Sequence, residues 1–427
     1  MDPNELTCEE FVRWKSAATR RALLARGLGT GLALLGSSGS FSQAVFRGPK
    51  EEGNVLVVLF LRGGADGLNM VAPYEEDTYY RSRPTLALRS PKDKRSGTTD
   101  RLLDLNGFFG FHPALSSLFP LYAEGKVAVI HATGSGDETR SHFEAMGTME
   151  RGQHTGTLHS SNGWLARHLM LTPDRSTPMR AVAIGSTLPD SLSGATSPLS
   201  CQSITDYRLD HNDRATLQEL TRLYQGDDEV SVAGRKTLEV LRVLHDKNPE
   251  SYVPEHSAVY ADNPVAKAFK QVAYLVKNDF GLEVACLESL GWDTHIAQGG
   301  PQGWQANLIK EVSDGIAAFY RDLGPEAPRV TTLVQTEFGR RIEENSGFGT
   351  DHGHGGAMFV VGGNVKGGHV YGDWPGIGPG QVTGPGDLQV TTDYRTVLAE
   401  ILDARLDCPS LERVFPGWKP EKLGLFS

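Results

Sequence analysis

Short apolar, β-branched runs alternate with longer amphipathic stretches along most of the chain. Residues 55–61 (VLVVLFL), 126–132 (KVAVIHA), 179–185, 283–290 (EVACLESL), 329–335 (RVTTLVQ) and 357–361 read as strands. The first of these is continuously apolar, as a strand buried on both faces of a parallel sheet requires. Helical spacing predicts helices over 114–124, 143–151, 302–323 and 393–406. It also predicts them over 214–247 and 265–278, where Leu238, Val240, Leu241, Val243 and Leu244 recur at i, i+3 and i+4. The polar stretch 74–105 reads as a loop excursion, and 152–215, rich in Ser, Thr, Gly and Pro, as a wall of long loops. The fold class expected from this order is α/β.

The first 44 residues are of another kind. Arg20 and Arg21 precede a modestly apolar run, 27–35, and a small-residue pattern ends at Ala44. That layout is expected of a twin-arginine-type signal peptide over 1–44, with a single domain over 45–427. It implies the twin-arginine export machinery as a partner and a periplasmic or secreted location. The apolar run is too short for a permanent membrane span after cleavage.

Composition narrows the function classes. At 427 residues and 39% hydrophobic content the chain can bury a large core. A formal net charge of −10, with no basic stripe carrying interleaved aromatics, argues against nucleic acid as a partner. Cys8, Cys201, Cys286 and Cys408 lie far apart, with neither a zinc-knuckle spacing nor a disulfide framework.

The chemistry-bearing residues track the predicted strand ends. Asp66 lies among glycines after 55–61, Ser141 and His142 after 126–132, Asp293 and His295 after 283–290, and Glu337 after 329–335. Asp351, His352 and His354, in the glycine-rich stretch 349–356 (GTDHGHGG), precede the next strand. In extended backbone an i, i+2 pair points to one side, so Asp293 with His295, or His352 with His354, can address one cation. In α/β folds, ligand sites gather at the carboxyl ends of the strands, and a shared crevice explains why these residues follow them. Ser141 also fits a helix cap, with Glu144 completing a capping box, and His112 before Pro113 reads as structural.

The motifs LRGGADGLNMVAPY, GFHPALSSLFPLYAEGKVAVIHATG, TRSHFEAMGTMERG, GWDTH, TEFGRR and GTDHGHGGAMFVVGGNVKGGHVYGDWPG occur in that order. Together they resemble the DUF1501 family, itself similar in fold to the alkaline phosphatase and sulfatase superfamily. The resemblance implies a three-layer sandwich with a central, mostly parallel sheet flanked by helices. It implies one or two divalent ions, zinc foremost, with calcium, magnesium or manganese as alternatives. Carried over motif by motif, it makes Asp66, Asp293, His295, Glu337 and either His352 or His354 metal ligands, and the residues themselves add Asp351 and the second of the two loop histidines, so that Asp66, Asp293, His295, Glu337, Asp351, His352 and His354 are the candidate ligands. Ser141, or Thr139, would stand where the superfamily's nucleophile begins its helix, with His142 beside it as a second catalytic residue. Two departures stand out. Glu337-Phe338 replaces the superfamily's later Asp-His pair, so that an extra histidine of the 349–356 loop would have to stand in. The cysteine motif that sulfatases convert to formylglycine is absent.

The function expected is an exported, metal-dependent hydrolase of phosphate, or related sulfate or phosphodiester, esters, acting on a small-molecule or polymer substrate. Arg62 or Arg140 would hold its anionic group by a bidentate contact. The alternative, from another class, is a non-catalytic extracytoplasmic binding or structural module that keeps the fold and one metal.

Overall fold

The computed structural model describes residues 53–95, 100–154, 160–172, 177, 179–207 and 214–426. The signal-like segment 1–44 lies outside them. The chain divides into two compact units, one holding residues 207–247 and the other running from 47 to 206 and from 248 to 427. In the smaller unit, helices α3 (Arg214–Leu223) and α4 (Glu229–Lys247) are joined by a short turn, onto which Arg235 of α4 folds, its Nη1 donating to the Tyr224 carbonyl at 2.6 Å.

The larger unit is built on a nine-stranded sheet. Its strands are β1 (Val55–Arg62), β2 (Val127–Gly134), β3 (Ala181–Ile184), β4 (Leu199–Cys201), β5 (Val284–Leu290), β6 (Val330–Thr336), β7 (Gly356–Gly362), β8 (His369–Tyr371) and β9 (Thr392–Asp393). The order is β8-β2-β7-β6-β1-β5-β3-β4, and β9 pairs with β2. β1 runs parallel to β5 and β6, whereas β7 is antiparallel to both β2 and β6. The carboxyl ends of β1, β2, β3, β5 and β6 therefore share one edge, and β7 begins there.

Alternation along β1 sends Leu56, Val58 and Phe60 into a core with α2 (Trp164–Leu171), α7 (Tyr394–Leu406) and the carboxyl-terminal Val414, Phe415 and Leu425. On the other side α5 (Pro264–Lys277) lies against β5 and packs on α6 (Trp304–Leu323), with the Phe269 and Phe319 rings 5.1 Å apart. This is the expected three-layer α/β arrangement with a mostly parallel sheet. The stretch 114–124 forms a 3-10 turn, Pro113–Leu115, and a short helix, Phe119–Ala123, because Pro113 and Pro120 each start a new turn. Inside the expected loops lie the helix Asp77–Ser82 and α2, whose Trp164, Leu165 and Leu169 are buried. β2 bulges against the start of β7: the pairing jumps from Thr133 with Gly356 to His131 with Ala357, and Ala132 sits at φ +52. No described helix is long and apolar enough to cross a membrane.

One buried ionic cluster fastens the sheet to α2. Glu283, just before β5, accepts from Arg180 Nε at 2.8 Å and lies 3.0 Å from His168 Nε2. Burial pushes the Glu283 carboxyl up, but His168 and Arg180 outweigh it and hold it near pH 2. A carboxyl depressed in the folded state stabilises it fully above the unfolded value, about 4.3, and that contribution fades as pH falls toward 2. Glu283→Gln is expected to lower stability at pH 7 by about 3 kcal/mol and to flatten the loss of stability between pH 5 and 2. Urea denaturation of both proteins across that range checks this, and an unchanged pH slope in the variant would refute it.

Candidate metal centre

The carboxyl edge of the sheet is where the loops meet. After β1 the chain turns through Gly63 and Gly64, both at positive φ, and passes so close to its neighbours that a Cβ on Gly63 would lie 2.5 Å from the Asp293 nitrogen. Gly64 is equally tight against the Phe338 ring. Only glycine fits both the conformation and the approach. The turn lets the Gly63 N–H reach Glu337 Oε1 at 2.8 Å, so the ends of β1 and β6 are tied together.

Four side chains converge there. Asp293 Oδ1 lies 3.1 Å from His295 Nε2 and 3.2 Å from His352 Nε2, and those two nitrogens are 2.9 Å apart. Asp293 Oδ2 lies 3.5 Å from His142 Nε2, the first residue of α1 (His142–Glu150). His142, Asp293 and His352 each offer a donor atom within 4.8 Å of the others.

The opposite nitrogen of each imidazole is committed elsewhere. His142 Nδ1 meets Glu337 Oε1 at 2.7 Å, His295 Nδ1 meets Asp351 Oδ1 at 3.2 Å, and His352 Nδ1 meets the Arg140 carbonyl at 2.8 Å. All three partners accept hydrogen bonds, so each Nδ1 carries the proton and, in the neutral ring, each Nε2 presents a lone pair. Asp293 Oδ1, His295 Nε2 and His352 Nε2, about 3 Å from one another, are lone-pair atoms that repel unless a cation is shared among them. Ligands at 2.0–2.2 Å from a tetrahedral ion stand roughly 3.3 Å apart, close to the triangle formed here. His142 Nε2 is buried and has no hydrogen-bond partner among the described residues. The donor set thus fits a divalent ion.

Charge at the cluster follows from its crowding. Burial opposes ionisation of Asp293, but the three imidazoles and Arg340 overcome it and hold the carboxyl well below the usual carboxylate range. Burial, reinforced by Arg340 and His142, pushes His352 down against the pull of Asp293, toward the neutral form a ligand needs. Burial also works against a charged His142, yet Asp293 and Glu337 raise it to about 9, so a proton and a metal ion compete for Nε2.

The remaining expected site residues lie around this cluster or apart from it. Glu337 and Asp351 stand behind His142 and His295 and orient them. Asp66 is 1% exposed and does not join: Arg83 takes both its oxygens, at 2.6 and 3.0 Å, and Gln298 Nε2 donates to Oδ2 at 2.7 Å. His354 turns away, its Nε2 2.8 Å from the Ser135 carbonyl. Of the histidines outside Asp293-Thr294-His295, it is His142 and His352, not His354, that reach Asp293. Phe338 is their platform, with ring centroids 4.9 Å from those of both His142 and His352. Ser141 occupies the cap position of α1 without a side-chain cap bond, and the capping box does not form: Thr139 Oγ1 donates to Glu144 at 2.6 Å and accepts from the Ser141 N–H at 3.3 Å. Arg140 pairs with Asp387. Arg62 pairs with Glu150 and Glu288, both at 2.9 Å, and lines a crevice of about 330 Å³ including open solvent. Both arginines are therefore already neutralised. His112, as expected, is structural: Nδ1 accepts from Ala114 N and Nε2 meets the Gly300 carbonyl.

Sequence reasoning missed two arginines. Arg340 is buried and donates to the carbonyls of Gly63, Gly64, Trp292 and Thr350 and to Asp293 Oδ1 at 2.7 Å. Its place in TEFGRR, three residues past Glu337, was a signal. Arg83 lies in the polar excursion and gave none.

Compared with known families, residues 54–400 match the profile described as protein of unknown function (DUF1501). The chain belongs to the DUF1501 family. No curated protein matches this DUF1501 chain. Among solved structures it is similar to alkaline phosphatase from the Antarctic bacterium TAB5, at 10% identity over 73% of this chain and 92% of that one, TM-score 0.29. It is also similar to a phosphonate monoester hydrolase from Silicibacter pomeroyi, at 10% identity over 82% and 73%, TM-score 0.34. A third is a Pyrococcus horikoshii protein, at 12% identity over 73% and 86%, TM-score 0.29.

Asp66→Asn tests the separation of Asp66 from the cluster. It strands the Arg83 guanidinium and is expected to cost about 3–5 kcal/mol of stability while leaving bound metal unchanged. Denaturant unfolding together with elemental analysis reads both; lost metal at unaltered stability would return Asp66 to the ligands.

Proposed function

We propose that this DUF1501 protein is an exported, metal-dependent hydrolase of phosphate or related sulfate or phosphodiester esters, with one divalent ion held by His142, Asp293, His295 and His352. The observation that carries the reading is the facing pair of Nε2 atoms, His295 and His352, beside Asp293 Oδ1, with every Nδ1 already spent on an acceptor. Three imidazoles and one carboxylate favour zinc. One ion rather than two follows from Asp66 being taken by Arg83 and from Glu337 and Asp351 being used behind the histidines.

A divalent ion in this place supplies Lewis acidity toward an anionic ester. The chain's own residues supply the rest. Glu337 and Asp351 fix the tautomers of His142 and His295, and such partners strengthen and orient a ligating imidazole. Arg340 keeps Asp293 ionised and in place. The Asp293 side chain is about a third exposed (34%) and His295 and His352 are half-buried, so an ester reaches the cluster from solvent. Ser141 is the candidate nucleophile: its hydroxyl makes no cap bond, and it adjoins His142 at the start of α1, where the helix dipole favours a developing anion. The ester class follows from the resemblance in the motifs, and export from the Arg20-Arg21 leader.

Elemental analysis of the purified full chain is expected to give one divalent ion per chain. Asp293→Ala loses it, His354→Ala keeps it, and Glu337→Gln binds it about 10- to 100-fold more weakly. Turnover of aryl phosphates, phosphodiesters or sulfates is expected to vanish in Asp293→Ala and, with metal retained, in Ser141→Ala. A wild-type protein with no stoichiometric metal, or an Asp293→Ala protein that keeps it, sinks the reading.

A further inference from the structure

We infer that the cluster carries a built-in subsite for an apolar substituent of the ester, walled by Ile296 and Phe348; this rests on the ester-hydrolase reading. The loop 291–303 carries Asp293 and His295, and large apolar side chains stand in solvent at both its ends. Ile296, next to His295, is 77% exposed; at the stem Trp304 is 61% exposed and Leu290 is also exposed. Across from Ile296, Phe348 is 61% exposed, three residues before Asp351. Scattered exposed apolar residues are ordinary, but a set bracketing a solvent-open cluster marks a surface that meets an apolar group.

The exposure is held in place rather than left to loose loops. Ala297 N donates to the Gly347 carbonyl and Gln298 N to the Phe348 carbonyl, each at 2.9 Å, so the two loops are paired. Asn345 Nδ2 donates to the His295 carbonyl at 3.1 Å and to Asp351 Oδ1 at 2.9 Å, coupling this pairing to a cluster histidine and to its partner. The Ile296 side chain lies against Gly347. The Trp304 indole N–H is fixed on the Gly291 carbonyl at 2.8 Å. Phe348 itself sits at φ +58, a left-handed conformation in which a bulky residue is strained, although glycines flank it on both sides and neither takes the left-handed position. A strained aromatic held in solvent beside a site is a placement that packing does not explain. The apolar wall belongs to the paired loops that carry His295 and Asp351, so on the ester-hydrolase reading its complement is an anionic ester bearing an aryl or alkyl group.

Calorimetry on the metal-loaded full chain with phenylphosphonate and methylphosphonate, neither of which carries an ester bond, tests this. Wild type is expected to bind phenylphosphonate about tenfold more tightly. Ile296→Ser with Phe348→Ser is expected to abolish that preference while leaving metal content and methylphosphonate binding unchanged, and Phe348→Leu to keep most of it. Equal binding of the two phosphonates overturns the subsite but leaves the hydrolase reading standing. Binding of neither overturns both. Binding of wild type to phosphatidylcholine vesicles, lost in the double variant and without phenyl preference, would assign the apolar rim to a lipid surface and overturn the subsite.

Discussion

The carboxyl edge of the sheet depends on one buried guanidinium. Arg340, 1% exposed, spreads its donors over the loop after β1, through Gly63 and Gly64, the loop after β5, through Trp292 and Asp293, and the strand before His352, through Thr350. A buried cation without a counter-charge is destabilised by several kcal/mol. The carboxylate that answers it is Asp293. Asp293 therefore cannot swing away without stranding that charge, and the point on which three histidines converge is fixed by the cost of burying an arginine.

The same economy sorts the acids. A carboxylate near an imidazole can either share its cation or orient its ring, and the distances decide between the two. Glu337 and Asp351 meet Nδ1 atoms and so orient the rings, whereas Asp293 meets Nε2 atoms, the side on which the proposed cation would sit. Asp66 does neither, because Arg83 lies within 3.0 Å of both its oxygens. Its work is mechanical: Arg83 also donates to the carbonyls of Arg341 and Ile342, so the pair braces the strand 340–344 that carries Arg340.

The strands were legible because apolar and β-branched residues dominate each run, continuously so in the first, and their ends came within two residues at 55–62, 284–290 and 330–336. α2 was not legible, because its apolar face sits within a stretch dominated by loop formers and carries Arg167 and His168. At the site, residue type and strand-end position were enough to gather Asp293, His295, His352 and His142 as candidates. What they hid was direction. Asp66 and Asp293 look alike in sequence, each flanking a glycine-rich strand end, and differ only in which arginine the fold brings to them. His352 and His354 differ in the same way: the expected same-side pair is broken, His352 Nε2 meeting Asp293 and His354 Nε2 the Ser135 carbonyl.

The antiparallel strand β7 makes this convergence possible. In a sheet with parallel strands alone, the segment leading into a strand lies at the amino edge, far from residues that follow β1, β5 and β6. Reversing one strand between β2 and β6 places its leading loop, with Asp351 and His352, at the carboxyl edge. The bulge at Ala132 then offsets β2 where it meets Gly356, at the point where the chain leaves for Ser135, Arg140 and His142. Ser135 and Arg140 both offer carbonyls to the histidine loop, to His354 and His352. Beside this local departure from sheet regularity stand two histidines far apart in sequence, His142 and His352, with ring centroids 4.4 Å apart.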